Sequence, residues 1–286
     1  MIFDQAEKLR NLVREKIQSE NYNAHVIAIG NGKGGCGKTN IILNLALILS
    51  KNGKKVLIYD ADLNLANVDI LLGVSPRYRF LDFIRGDVGL DDVLIDVREN
   101  LTLLPANSGS LNFPKISGDR LIQIIKEILQ MEKNFDFILI DTPAGISDEV
   151  IKILGYSDDY ILVATPEPTS IMDAYAVVKL VYYQTGKSNV KLIVNNINGS
   201  VDPVDVANRL SFACEKFLGV KINYIGSIPY DPAVSRSVML QKPFVELFPR
   251  SGASIALNKI ASNLLSLDRV KKQKSFFGRL VEVCGL

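Results

Sequence analysis

HVIAIGNGKGGCGKTNIILNLALILSK, residues 25–51, decides the fold. Its first six residues are an apolar, β-branched run that predicts a strand. A glycine-rich loop follows, then a long apolar stretch of helical character. Gly32 to Thr39 fit G-x-x-x-x-G-K-[ST] in the strand–loop–helix setting that the motif requires. Gly32, Gly34, Gly35 and Gly37 let backbone N–H groups converge on phosphate oxygens without side chains in the way. A helix beginning near Lys38 turns its positive dipole end toward the same charge. Lys38 is expected to neutralise β- and γ-phosphates, and the Thr39 hydroxyl to sit on Mg²⁺. Cys36 fills a free position of the loop as a small side chain.

Working outward, apolar strand runs alternate with helical patterns. Strands are predicted at 25–30, 55–60, 101–106, 135–141, 159–165, 190–196 and 222–229. Helices are predicted at 38–51, 117–132, 146–155, 169–184, 203–217 and 251–266. Several strands are apolar almost throughout, as in a parallel sheet buried on both faces. The alternation predicts an α/β P-loop NTPase fold: a doubly wound, mostly parallel sheet flanked by helices in three layers. Residues 17–24 and 267–274 read as polar joints. They divide the chain into an N-terminal helix (1–20), a nucleotide-binding domain (21–266) and a basic linker with a final helix (267–286).

Composition narrows the classes. The chain has 286 residues, enough for one large core, with 33 basic against 31 acidic residues and a net charge of +2. That balance gives no sign of a nucleic-acid binder, and no specific nucleic acid is expected as a partner. No apolar run reaches the roughly 18 residues needed to span a bilayer. Three well-separated cysteines point to a reducing cytoplasm and away from a disulfide framework or a zinc site. His25, the one histidine, stands at a strand start, where a structural role is expected.

Three aspartates stand where an α/β sheet puts its ligands. Asp60 closes one predicted strand, with Asp62 two residues on, and Asp141 closes another. A carboxylate there can hold Mg²⁺ through water or orient an attacking water.

Lys33 is not needed for simple phosphate binding. With it, KGGCGKT (Lys33 to Thr39) resembles the deviant Walker A loop of the MinD/ParA ATPases. The resemblance implies ATP and Mg²⁺ as cofactors. It also implies an ATP-dependent homodimer in which Lys33 reaches the partner's nucleotide. FILIDTPAG is similar to that family's Walker B and switch II segment. It implies Asp141 as the metal-side acid and Gly145 near the γ-phosphate. DADLNLANVD is similar to switch I, implying Asp60 at the metal, Asp62 in hydrolysis and Asn67 near the dimer interface. VKLIVNNIN and IPYDPAV resemble the two segments around the base, implying Asn195, Pro229 and Asp231 as adenine contacts.

Within the family, Asn40 and Asn44 resemble the flagellar branch, the FlhG or FleN group, with Asn40 joining the nucleotide loop. DQAEKLR, residues 4–10, is similar to that branch's DQAxxLR helix. The resemblance implies that Asp4, Gln5, Leu9 and Arg10 engage an FlhF-like SRP-type GTPase, with basal-body and C-ring proteins as further partners. At about 100° per residue, Phe276, Phe277, Leu280, Val281, Val283 and Cys284 fall within an arc of roughly 160°. Beside the upstream lysines this favours an interfacial helix on an anionic inner membrane surface, with Phe276, Phe277, Leu280 and Val281 as the contacts. The alternative is a last helix packed on the core. A division-site regulator, a DNA-partitioning ATPase, an iron–sulfur carrier and an ATP-binding module without turnover are the competing readings.

Overall fold

The computed structural model describes residues 24–62, 67–107, 116–199, 201–266 and 275–283. The expectations for Asp4, Gln5, Leu9, Arg10 and Cys284 lie outside these residues, and the Val281 side chain is likewise not described.

Eight strands form one sheet: β1 (His25–Gly30), β2 (Val56–Asp60), β3 (Ile95–Arg98), β4 (Leu101–Leu104), β5 (Phe137–Asp141), β6 (Asp159–Ala164), β7 (Val190–Ile197) and β8 (Ile222–Pro229). Their order is β3-β4-β2-β5-β1-β6-β7-β8, and every pairing is parallel except β3 with β4. The strands turn alternate side chains to two separate cores. Val26, Ala28, Ile138 and Ile140 enter one, while Ile27, Ile29, Phe137 and Leu139 enter the other. Because both faces are covered, the runs carry no polar alternation, which is why they were legible.

The first face carries α3 (Phe80–Arg85), α4 (Leu90–Val93), α5 (Gly118–Glu132), α6 (Asp148–Tyr156), α7 (Pro168–Thr185) and α8 (Pro203–Leu218). The second carries α1 (Lys38–Lys51), α2 (Val68–Leu72), α10 (Phe244–Leu247) and α11 (Gly252–Leu265), with α9 (Pro232–Met239) near β8. Helix starts follow local chemistry. Ser117, Ser147, Asp202 and Ser251 each cap a first turn, and Pro168, Pro203 and Pro232 occupy first-turn positions where no N–H is missed. Sequence reading missed β3 and the short helices α2, α3, α4, α9 and α10. β3 is a four-residue edge strand with only Val97 buried, and four- to eight-residue helices carry too few turns for periodicity to register.

The final helix, α12 (Phe276–Val283), lies against α5 and α6, the packed arrangement rather than an open apolar face. Phe276 is fully buried in the first core, and Phe277 and Leu280 pack against it half-buried. Glu132, at the end of α5, accepts the Ser275 hydroxyl and the Phe276 N–H (3.0 Å), so it caps the helix. Arg279 reaches Asp158 at 2.8 Å. His25 has the structural role expected of it: its Nε2 lies 2.8 Å from Asp159, which also receives Lys191 at 2.6 Å. Among the described residues no helix is long and apolar enough to cross a membrane.

Candidate functional site

β1 ends at Gly30, and the chain turns through the loop before α1 begins at Lys38. Gly37, the N-cap of α1, has φ 91°, a left-handed conformation that glycine adopts without strain. At Gly32 the constraint is space: a Cβ there would lie 2.5 Å from the Asp173 Cβ on α7. Lys38 is buried, and its ammonium donates to Asn31 Oδ1 at 2.7 Å. Lys33, Gly34 and Gly35 stand exposed along the loop. The loop lysines therefore divide into one turned inward and one presented to solvent.

Cys36 is buried, accepts the Asn31 side-chain N–H at Sγ (2.8 Å), and burial raises its thiol pKa. It is a filler, as expected, and a poor nucleophile. The Asn195 side-chain N–H donates to the Cys36 carbonyl at 2.8 Å, whereas the neighbouring Asn196 is exposed with φ 61°. Asn195 thus braces the loop from β7. Asn40 and Asn44 are joined through α1, since Asn44 donates to the Asn40 carbonyl and accepts Val245 N–H from α10. Asn44 ties the loop's helix to α10 on the same face.

The parallel pairing of β2 and β5 sets Asp60 directly opposite Asp141. Burial first, then the neighbouring Asp141 charge, pushes Asp60 up to about 7. Burial also lifts Asp141, to about 6, against the Thr39 hydrogen bond and the Lys38 charge, and Asp62 lifts it further. Asp60 uses its oxygens on backbone N–H groups: Oδ1 accepts from Asp62 (3.1 Å), Oδ2 from Asn67 (3.3 Å) and Val68 (3.4 Å). Its work here is to hold the segment after β2 and the start of α2, more than sequence reasoning assigned. Asp141 differs, because its Oδ1 is buried without a hydrogen-bond partner.

Those observations fit a divalent cation. The orphaned Asp141 oxygen, on a carboxylate bonded to the Thr39 hydroxyl and opposite Asp60, is an acceptor for a cation, and positive charge there would offset the burial that raises both carboxylate pKa values. Among the described residues no three His, Cys, Asp or Glu side chains gather closely enough to hold an ion alone. Mg²⁺ does not need that, since it commonly takes one or two protein ligands and completes its shell with water and phosphate oxygens.

Asp231 is a helix joint. Its Oδ1 caps α9 through Ala233 N–H (2.9 Å), and its Oδ2 accepts Ala253 N–H (3.1 Å) at the start of α11. Those bonds hold its pKa low. Pro229 ends β8 half-buried, packed near Gly252. Gly145 has φ 106° and donates its N–H to the Asn31 carbonyl at 3.3 Å, which brings the segment after β5 onto the loop. Sequence reasoning missed Asn31. It precedes the first motif glycine, and nothing about its position marks it.

Comparison with known proteins agrees with this geometry. A family model described as ParA, NUBPL iron-transfer P-loop NTPase, matches residues 23–265. The antiactivator FleN of Pseudomonas aeruginosa is 38% identical over 239 residues, covering 84% of this chain and 85% of FleN. The flagellum site-determining protein YlxH of Helicobacter pylori is 32% identical over 294 residues, 99% of each chain. Among solved structures, the septum site-determining protein MinD of Pyrococcus horikoshii, complexed with Mg-ADP, superposes with TM-score 0.68 at 27% identity, covering 85% of this chain and 96% of that one. The eight-stranded, mostly parallel sheet agrees with these matches, and the chain belongs to the ParA/MinD family of P-loop NTPases.

Proposed function

We propose that this chain is an Mg-ATP-dependent dimerising switch that regulates flagellar number or placement. The observation that carries the reading is the division of labour in its loop: a buried Lys38 directed inward and an exposed Lys33 at the rim. Similarity to FleN and YlxH supports the flagellar assignment. Lys38 and the loop N–H groups hold the triphosphate, Asn195 braces the loop, and Pro229 flanks the base. Thr39 and Asp141 hold Mg²⁺, with Asp60 fixing the following segment. When bound, the ion supplies positive charge to the phosphate oxygens. Lys33 reaches the nucleotide of a second copy, placing charge at the γ-phosphate only once the dimer closes. Asp62 orients the attacking water, and hydrolysis opens the dimer.

Exposed apolar side chains around this end of the sheet, Ile146 and Met172 among them, are suited to burial by a second copy. Residues 1–20 carry the output to an FlhF-like GTPase through Asp4, Gln5, Leu9 and Arg10. The α12 segment serves the membrane through Phe276, Phe277, Leu280 and Val281, which requires it to leave its seat on α5 and α6. Two tails on one dimer bind far better than one, because the second attaches intramolecularly.

Asp62→Ala tests the core of this reading. It should leave a persistent dimer in ATP by light scattering; only monomer would sink the sandwich arrangement. Deleting residues 1–20 should remove stimulation of the purified partner GTPase while sparing ATP-dependent dimerisation. If full-length protein never stimulates that GTPase, a division-site role like that named for MinD becomes the better reading.

A further inference from the structure

The loop lysine does not project freely toward its phosphates. Asn31, first in the chain after β1 and 3% exposed, receives the Lys38 ammonium on Oδ1 at 2.7 Å. Its Nδ2 donates to Cys36 Sγ at 2.8 Å. Its backbone carbonyl accepts the Gly145 N–H at 3.3 Å. A single buried residue therefore touches the phosphate lysine, the free position of the loop and the segment that follows β5. The motif assigns it no task.

We propose that Asn31 is a positioning residue for Lys38, aiming its ammonium into the loop before nucleotide arrives. The inference rests on the nucleotide reading of this site. A lysine ammonium is a point charge on a flexible four-carbon stem, with three N–H donors and no acceptor. Asn31 engages one donor and leaves two for phosphate oxygens. The direction of the amide follows from its partners. The ammonium can only donate, so Oδ1 must face it, and that leaves Nδ2 for the thiol. Asparagine also suits the charge balance. An aspartate would pair with Lys38 and repel the incoming phosphates, and a serine on its shorter stem would not span both partners. Holding the lysine in place before binding removes an ordering cost that would otherwise reduce affinity for the triphosphate.

The distinguishing readout is which nucleotide is affected. Lys38 serves the β- and γ-phosphates, so AMP does not sense its position, whereas a general loosening of the loop weakens AMP and ATP alike. Fluorescent ATP and AMP analogues should be titrated, with Mg²⁺, into the full-length chain and its Asn31→Ala, Asn31→Ser, Asn31→Asp and Lys38→Ala variants, with a thermal melt of each. Asn31→Ala and Asn31→Ser should weaken ATP about 5- to 30-fold relative to AMP. Asn31→Asp keeps the shape and should weaken ATP further. ATP binding by Asn31→Ala equal to the starting protein, or a proportional loss of ATP and AMP in all folded variants, would overturn the proposal. If the unaltered chain fails to bind ATP and Lys38→Ala behaves identically, the nucleotide reading itself falls, and this inference with it.

Discussion

Replacing Glu132 with Ala should release α12 from the body without altering the tail. Glu132 is 1% exposed, and its carboxylate accepts both the Ser275 hydroxyl and the Phe276 N–H. Alanine removes that acceptor and leaves two buried donors without partners in the docked state. An orphaned buried donor costs about 1–3 kcal/mol, and loss of a helix cap is typically about 1 kcal/mol within that range. Against this stands the burial of Phe276, about 1.5–3 kcal/mol, and the Arg279–Asp158 pair, which remains. The docked-to-free ratio should therefore fall about 5- to 150-fold. Hydrogen exchange followed by mass spectrometry reads it directly: protection of residues 276–283 should drop by that factor, while β1 and β5 keep theirs. Burial raises the Glu132 pKa, with the Ser275 and Phe276 hydrogen bonds opposing it. Since the docked pKa exceeds the free value of 4.5, docking is strongest below 4.5 and weakens as pH climbs through the raised value. Glu132→Gln keeps an acceptor and should abolish that pH dependence. Unchanged exchange at 276–283 in Glu132→Ala would show that the cap contributes nothing. Under the membrane reading the same variant should co-sediment more with anionic liposomes, and deleting 275–286 should end co-sedimentation.

Two further substitutions probe the scaffold. Lys191→Met removes the 2.6 Å ammonium partner of the buried Asp159 carboxylate and leaves it the hydrogen bond to the His25 ring. It should cost about 3–5 kcal/mol, visible as a thermal midpoint lower by roughly 6–15 °C; an unchanged midpoint would mean the pair contributes no net stability. Burial pushes Asp159 up, but its His25 and Lys191 hydrogen bonds outweigh that and hold its pKa below 3.8. The stability is therefore present above pH 3.8 and lost as pH falls through the depressed value, so the variant should also forfeit acid resistance. Gly32→Ala places a methyl 2.5 Å from the Asp173 Cβ and 2.7 Å from its carbonyl oxygen. It should destabilise the loop by about 1–3 kcal/mol and weaken ATP binding; normal affinity would show that α7 yields easily.

The parts of the molecule legible in sequence are those whose physics is local. β1, β5 and β6 are buried on both faces, so each announces itself as an unbroken apolar run. The phosphate loop is contiguous, and its glycines, Lys38 and Thr39 carry their chemistry in their spacing. What could not be read depends on partners distant in the chain. Asp231 offers a carboxylate at a loop, and only the arrival of α11 makes it a joint between two helix starts. Asn195 lies two residues before the end of β7, and whether it serves a base or the loop depends on where Cys36 lies, 159 residues away.

The tail marks the division most sharply. Amphipathic spacing in residues 276–284 determines that one face must be covered, because leaving it in water is unfavourable. It says nothing of what covers it, since lipid and protein interiors are equally apolar to Phe276. That choice belonged to tertiary structure, through a buried glutamate 143 residues before Ser275 and an aspartate 121 residues before Arg279.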